Sequence, residues 1–292
     1  MNHKRLHEWI VSLPSLFWMV AFFAVPTLLV FALSFRPADT LGGIGAGWTL
    51  QTWSHLSNPN YPSIIWRTIW ISLAATVICI LLALPCAYAM ARAPVRWRAI
   101  LTTLIILPFW TNFLIRVFAW RQLLHPNGPL KQILVSIGII TPDTLLLYNS
   151  GAVLLVSVYS FLPFAILPIY AAAEKFDFSL LEAARDLGAR SMRAFISVFI
   201  PGIRRGLISA ALMVFIPALG SYVIPDLVGG PTSELLGNKI AQRTFFDRNL
   251  PHASALSALL AAGVLIPLAL LALAMRKRPN ERGGVGSDRK KS

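Results

Sequence analysis

Six stretches of this chain stay apolar for 23 residues or more: Val11–Phe35, Ile64–Ala91, Ala99–Leu124, Gly151–Ala173, Gly206–Val228 and Ala253–Met275. About 20 apolar residues carry an α-helix across the hydrocarbon core of a bilayer. Stretches this long constrain the fold more than any other feature. The chain reads as an all-α polytopic membrane protein with six transmembrane helices. Composition agrees, since only 13% of the residues are charged, where a soluble domain carries about 25%. We expect one transmembrane domain over residues 1–292, with spans at about 11–35, 64–91, 99–124, 151–173, 206–228 and 253–275.

The first stretch follows Lys4 and Arg5, as the core of a signal peptide would. Its 25 residues exceed the roughly 7–15 of a signal core, and no small-residue cleavage site stands out after it. It reads as an uncleaved first span. Lys and Arg then set the orientation, because cytoplasmic loops carry an excess of both. The N-terminus, the loop after span two, the segment after span four and the tail hold 18 of them; the three alternate segments hold 5. Both termini are therefore expected in the cytoplasm. This topology, beside anionic lipid, accounts for the net charge of +14, so the charge points to membrane lipids and not to nucleic acid. The basic tail 276–292 is polar and is expected to be disordered. Cys79 and Cys86 share a span and lie about 10 Å apart along its axis, too far to bridge. They read as core thiols.

Between spans four and five lies Ser179–Pro201, SLLEAARDLGARSMRAFISVFIP. Ser179 with Glu182 is a capping-box pattern, which predicts a helix start. Leu180, Leu181, Ala184 and Leu187 give that helix an apolar side. Gly188 supplies the φ > 0 turn that ends it. Ser191 then caps a second short helix, on which Met192, Phe195, Ile196 and Phe199 recur at helical spacing before Pro201 stops it. A helix–turn–helix with an exposed apolar side, held between spans, is a docking knob. The plain alternative is an amphipathic loop on the membrane surface.

The order Glu182-Ala183-Ala184, Gly188, then Val198-Phe199-Ile200-Pro201 resembles the cytoplasmic coupling loop of ABC importer membrane subunits. Leu107–Arg116 (LPFWTNFLIR), Phe161–Phe164 (FLPF), Leu181–Ala189 (LEAARDLGA) and Ile224–Pro231 (IPDLVGGP) narrow the resemblance to permease subunits of spermidine/putrescine ABC importers. Phe245–Pro251 is similar to the segment before their last span, so the likeness runs from about span two to span six. It implies a type I permease fold and a bacterial cytoplasmic (inner) membrane location. It also implies a second permease in a heterodimer, two cytoplasmic ATPase subunits, and a periplasmic or lipid-anchored substrate-binding protein. Coupling to the ATPase falls to Glu182, Ala183, Ala184, Arg185, Asp186, Gly188 and Arg190. The implied cargo is putrescine or spermidine; relatives in this branch also carry phosphonates, opines and iron complexes. No G-x-x-x-x-G-K-[S/T] occurs in the chain, so ATP would be bound by the partner ATPase and no cofactor is expected here.

Asp226 is the only acid inside an apolar stretch, and an ionisable group at membrane depth is a functional candidate. A polyamine needs carboxylates and aromatic faces, which Asp226 with Trp110, Tyr159 and Tyr222 would supply. Counted along a continuous helix from Arg205, Asp226 lies about 30 Å on, at the outer mouth. There it is equally an ordinary interfacial Asp, and the three aromatics are more often packing residues than binding ones. Arg116 and Arg121 snorkel or pair with a partner, or steer an anionic cargo. Glu182 either closes its capping box or pairs with a basic group on the ATPase. A stand-alone secondary transporter would need ion-coupling groups at mid-bilayer, for which Asp226 alone is thin support. An enzyme is not expected: the five histidines lie in tails, loops or at a span boundary, and no paired carboxylates or metal spacing occur within spans.

Overall fold

A computed structural model of the chain describes residues 12–39, 42–58 and 60–276. Lys4, Arg5 and the basic tail after Arg276 lie outside the described residues. Among those residues the structure is helical, with an isolated antiparallel bridge between Ala38 and Ile44.

Helix α1 runs Ser12–Leu33 and contains a π-turn at Val20–Ala24. Helix α2 is Asn60–Arg92, α6 is Ser150–Glu174 and α9 is Arg204–Leu219. These last three pack on one another to form the core. Their sequences explain why. Buried positions recur every fourth residue: Ala75, Cys79, Ala83 and Ala87 on α2, Ala165, Ile169 and Ala173 on α6, and Ala210, Val214 and Ala218 on α9. Residues four apart share one helix face. In lipid, helices associate by close packing, and small side chains let their backbones approach. Cys79 belongs to this stripe and donates its thiol to the Val158 carbonyl at 3.5 Å. Cys86, expected as a core thiol, is exposed instead.

The stretch 99–124 is not one straight span. Helix α3, Val95–Ile106, tightens into a 3₁₀ turn at Leu107–Trp110 and stops at extended Thr111. Helix α4, Phe113–Leu124, restarts and leads into α5, Pro129–Ser136, with an 86° bend between the halves. Two residues cause the break. Pro108 has no N–H to give the α3 ladder, and Asn112 Oδ1 accepts the Leu114 N–H at 2.8 Å, which starts a new helix.

The stretch 206–228 is also interrupted. Helix α9 ends at Leu219, and after Gly220–Tyr222 a short helix, α10, runs Val223–Val228. The Tyr222 carbonyl at the break accepts the Asp226 N–H, which starts α10, and also Asn238 Nδ2, each at 3.0 Å. Measuring Asp226 along a continuous helix therefore fails. Helix α11, Leu236–Phe245, packs on α12, Leu250–Arg276, and so does α1. Among the described residues α1, α2 and α6 are long and apolar enough to cross a membrane, and five such units arise if each bent pair counts as one.

Candidate functional site

The segment after α6 folds into α7, Ser179–Asp186, and α8, Ser191–Gly202, which meets α9 at 73°. The start of α7 differs from the expected capping box. Asp177 Oδ1 accepts the Ser179 N–H at 3.0 Å, and Ser179 is itself the first helical residue. A carboxylate two residues upstream reaches that free N–H locally, as Asp does in turns. The bonds to Ser179 hold the Asp177 carboxyl below its usual 3.8. Glu182 is left exposed and out of any capping box. Ser191 does not cap α8 either: Arg190 holds that position without a side-chain bond. The helix continues one residue past Pro201, through a π-turn at Phe195–Phe199.

The end of α7 forms a Schellman turn. The Gly188 N–H donates to the Arg185 carbonyl at 2.8 Å and the Ala189 N–H to the Ala184 carbonyl at 3.0 Å. Gly188 has φ +88°, with open space where a Cβ would stand. Backbone handedness, not room, demands glycine here.

The apolar side of the knob divides in two. Leu181, Ala194 and Phe199 are buried, while Leu187 is 89% and Met192 69% exposed, with Leu180 and Ile196 also outward. Ala183, Arg185, Asp186 and Arg190 are exposed beside them, and Ala184 is half-buried. The buried half rests on an aromatic pedestal. Tyr88, near the end of α2, meets Phe195 and Phe199 edge-on at 5.4 and 5.1 Å. Phe176 meets Phe199 at 5.2 Å, and the Arg92 guanidinium covers the Tyr88 and Phe178 rings at 5.8 Å. Such pairs contribute about 0.5–1.5 kcal/mol each beyond their buried area. The sequence reading missed the pedestal. Its signal was Phe176 and Phe178 flanking Asp177, with Tyr88 and Arg92 one helical turn apart.

The other end of α6, about 37 Å away for its 25 residues, carries a cavity of about 850 Å³ lined by Tyr148, Tyr222, Asp226, Glu234, Lys239 and Phe245, among others. Tyr148 sits just before α6 in the left-handed region at φ 63°, a conformation that costs a non-glycine residue about 1 kcal/mol. It is held there by its N–H bond to the Val228 carbonyl at 2.9 Å. Glu234 pairs with Lys239, Nζ to Oε1 3.3 Å. Lys239 Nζ also donates to Gln242 Oε1 at 2.9 Å. Carboxylates beside aromatic faces form a surface suited to an organic cation.

Of the path candidates, only Asp226 and Tyr222 line this cavity. Trp110 stands at the break between α3 and α4 and is 79% exposed. Tyr159 packs edge-on against Trp120 at 5.2 Å. Arg116 lies over Phe109 and Phe113 at 4.7 and 5.8 Å, with its Nε buried and unpartnered. The α3/α4 break sends Trp110 and Arg116 elsewhere, and Trp120 takes up Tyr159. Tyr148, Glu234 and Lys239 were not legible as site residues, because no local pattern marks them. Beside the cavity, the Tyr61 hydroxyl and His252 Nε2 share a 2.7 Å hydrogen bond. Arg243 bonds Tyr61 at 3.4 Å and Asp247 at 2.8 Å. These contacts tie α2, α11 and α12 together.

Comparison with known proteins places the chain among relatives. The profile of the family described as binding-protein-dependent transport system inner membrane component matches residues 80–279. The chain is similar to the spermidine/putrescine transport system permease protein PotB of Haemophilus influenzae, 38% identical over 254 residues, covering 87% of each chain. It is similar to the PotB protein of Escherichia coli, 35% identical over 240 residues, covering 82% of this chain and 87% of the relative. Its fold matches a solved bacterial ABC transporter involved in the import of the acidic polysaccharide alginate. The TM-score is 0.73, at 14% identity, over 95% of this chain and 97% of the other.

Proposed function

This chain belongs to the family of binding-protein-dependent transport system inner membrane components, and from that premise we propose that it is the translocation subunit of an ATP-driven polyamine importer. The observation that carries this is its 38% identity, over 87% of its length, to a permease named for spermidine and putrescine. The cavity chemistry supports the cargo, since Asp226 and Glu234 stand with Tyr148 and Tyr222.

In this reading α1, α2, the α3–α5 pair, α6, α9 with α10, and α12 make six spans of a bacterial inner membrane, with both termini in the cytoplasm. The knob then faces the cytoplasm and the cavity faces outward, because they lie at opposite ends of α6. Leu187, Met192 and Ile196 dock in a cleft of an ATPase subunit, with Glu182, Arg185, Asp186 and Arg190 at the rim. Exposed apolar side chains ringed by charge suit such an interface. Gly188 sets the angle between α7 and α8, and the Tyr88 pedestal passes movement of the knob to α2. A second permease subunit completes the path, two ATPase subunits bind and hydrolyse ATP, and a binding protein delivers cargo to the cavity.

The test is uptake. The chain, its companion permease, the ATPases and the binding protein are reconstituted in proteoliposomes with radiolabelled spermidine or putrescine. ATP-dependent accumulation is expected. An assembled complex that hydrolyses ATP yet accumulates neither amine would overturn the cargo.

A further inference from the structure

We propose that Lys239 is a tethered stand-in for the cargo: its ammonium holds the Glu234 carboxylate until an ammonium of the polyamine takes its place. The inference rests on the polyamine reading of the cavity and adds how that cavity is kept when empty.

Three observations carry it. The first is coordination. Lys239 Nζ lies 3.3 and 3.4 Å from the two Glu234 carboxylate oxygens and 2.9 Å from the Gln242 amide oxygen. One carboxylate and one amide oxygen around a primary alkylammonium is what the end of a diamine would need. The lysine side chain is itself an alkyl chain ending in that group. The second is position. Lys239, Glu234 and Gln242 all line the large cavity, together with Asp226, Tyr148 and Tyr222. The third is charge. The acids and bases lining the cavity are Asp226, Glu234 and Lys239, so it carries −1 with the pair closed and −2 once Lys239 swings away. A diamine carries +2. Exchange therefore matches cavity and cargo, with one ammonium at Asp226 and the other on Glu234, while a monovalent cation would leave a charge uncompensated.

The surroundings allow the exchange. The pair is partly exposed, at 20% for Lys239 and 28% for Glu234, so the ammonium can leave for water on its flexible stem. The Glu234 main chain is held without it, because its backbone carbonyl accepts from Arg67 Nη1 at 3.3 Å. A partly exposed ion pair is weak enough to be displaced.

The experiment measures binding of radiolabelled putrescine, the diamine, to the complete complex in lipid nanodiscs, without binding protein. Lys239→Met removes the competitor and should tighten binding about two- to fivefold. Lys239→Arg keeps a cation on Glu234 and should bind as the unaltered complex does. Adding Glu234→Gln to Lys239→Met should abolish the gain. If the methionine variant fails to assemble, Lys239→Gln makes the same comparison. Unchanged or weaker binding in the uncharged Lys239 variants, while Asp226→Asn still weakens it, makes the pair structural and overturns the exchange. No binding of putrescine or spermidine by any form overturns the polyamine reading itself.

Discussion

A Cβ on Gly230 would stand 2.4 Å from the backbone carbonyl oxygen of Tyr148. No side chain fits there, so the GGP segment exists at this point to admit the loop before α6. The hydrogen bond from Tyr148 N–H to Val228 O, 2.9 Å, completes the clamp. Together they keep Tyr148 in its left-handed conformation, with its ring on the cavity wall. A strained residue held by its surroundings beside a cavity is a common mark of a functional position.

Gly230→Ala should push the two segments apart. Overpacking of this kind costs about 1–3 kcal/mol. The purified complex should melt earlier and bind spermidine more weakly, because Tyr148 moves with its backbone. Full thermal stability in this variant would show that the segments are not locked together.

Gly188→Val tests the knob. Valine at φ +88° is strained by about 1–2 kcal/mol or more, and it meets no neighbour that could compensate. The complex should insert and hydrolyse ATP but lose the link between hydrolysis and uptake. Transport at the normal rate would falsify the docking role of this turn.

Phe199→Ala and Leu187→Ala separate pedestal from docking surface. Phe199 is fully buried, and its loss should cost about 3–5 kcal/mol, seen as a lower melting temperature. Leu187 is exposed, so its removal should leave stability within about 0.5 kcal/mol while weakening ATPase association in pull-down. Equal melting temperatures for the two variants would contradict the assignment of faces.

Asp226→Asn should slow polyamine uptake with the complex still assembled. Removing a charged partner of the amine weakens cation passage by about 1–3 kcal/mol. Uptake of radiolabelled spermidine at an unchanged rate would take Asp226 off the path.

Some of this was legible from local pattern alone. Runs of 23 or more apolar residues have no fate in water, so their helical, lipid-facing character follows from length. Gly188 was legible because a Schellman turn depends on residues within one turn of chain, and the knob around it because amphipathic spacing is periodic. Where the reading went wrong, a local choice competed with the period. Pro108 with Asn112 ended one helix and began another inside an unbroken apolar run, and the chain broke after Leu219, where the Tyr222 carbonyl accepts from both Asp226 N–H and the distant Asn238 side chain. Tertiary structure alone decided the rest. The Tyr88–Phe199 pedestal, the Gly230–Tyr148 clamp and the Lys239–Glu234 pair in one cavity with Asp226 depend on which distant segments arrive side by side. Packing in three dimensions sets that choice, and neither hydropathy nor a turn signal encodes it.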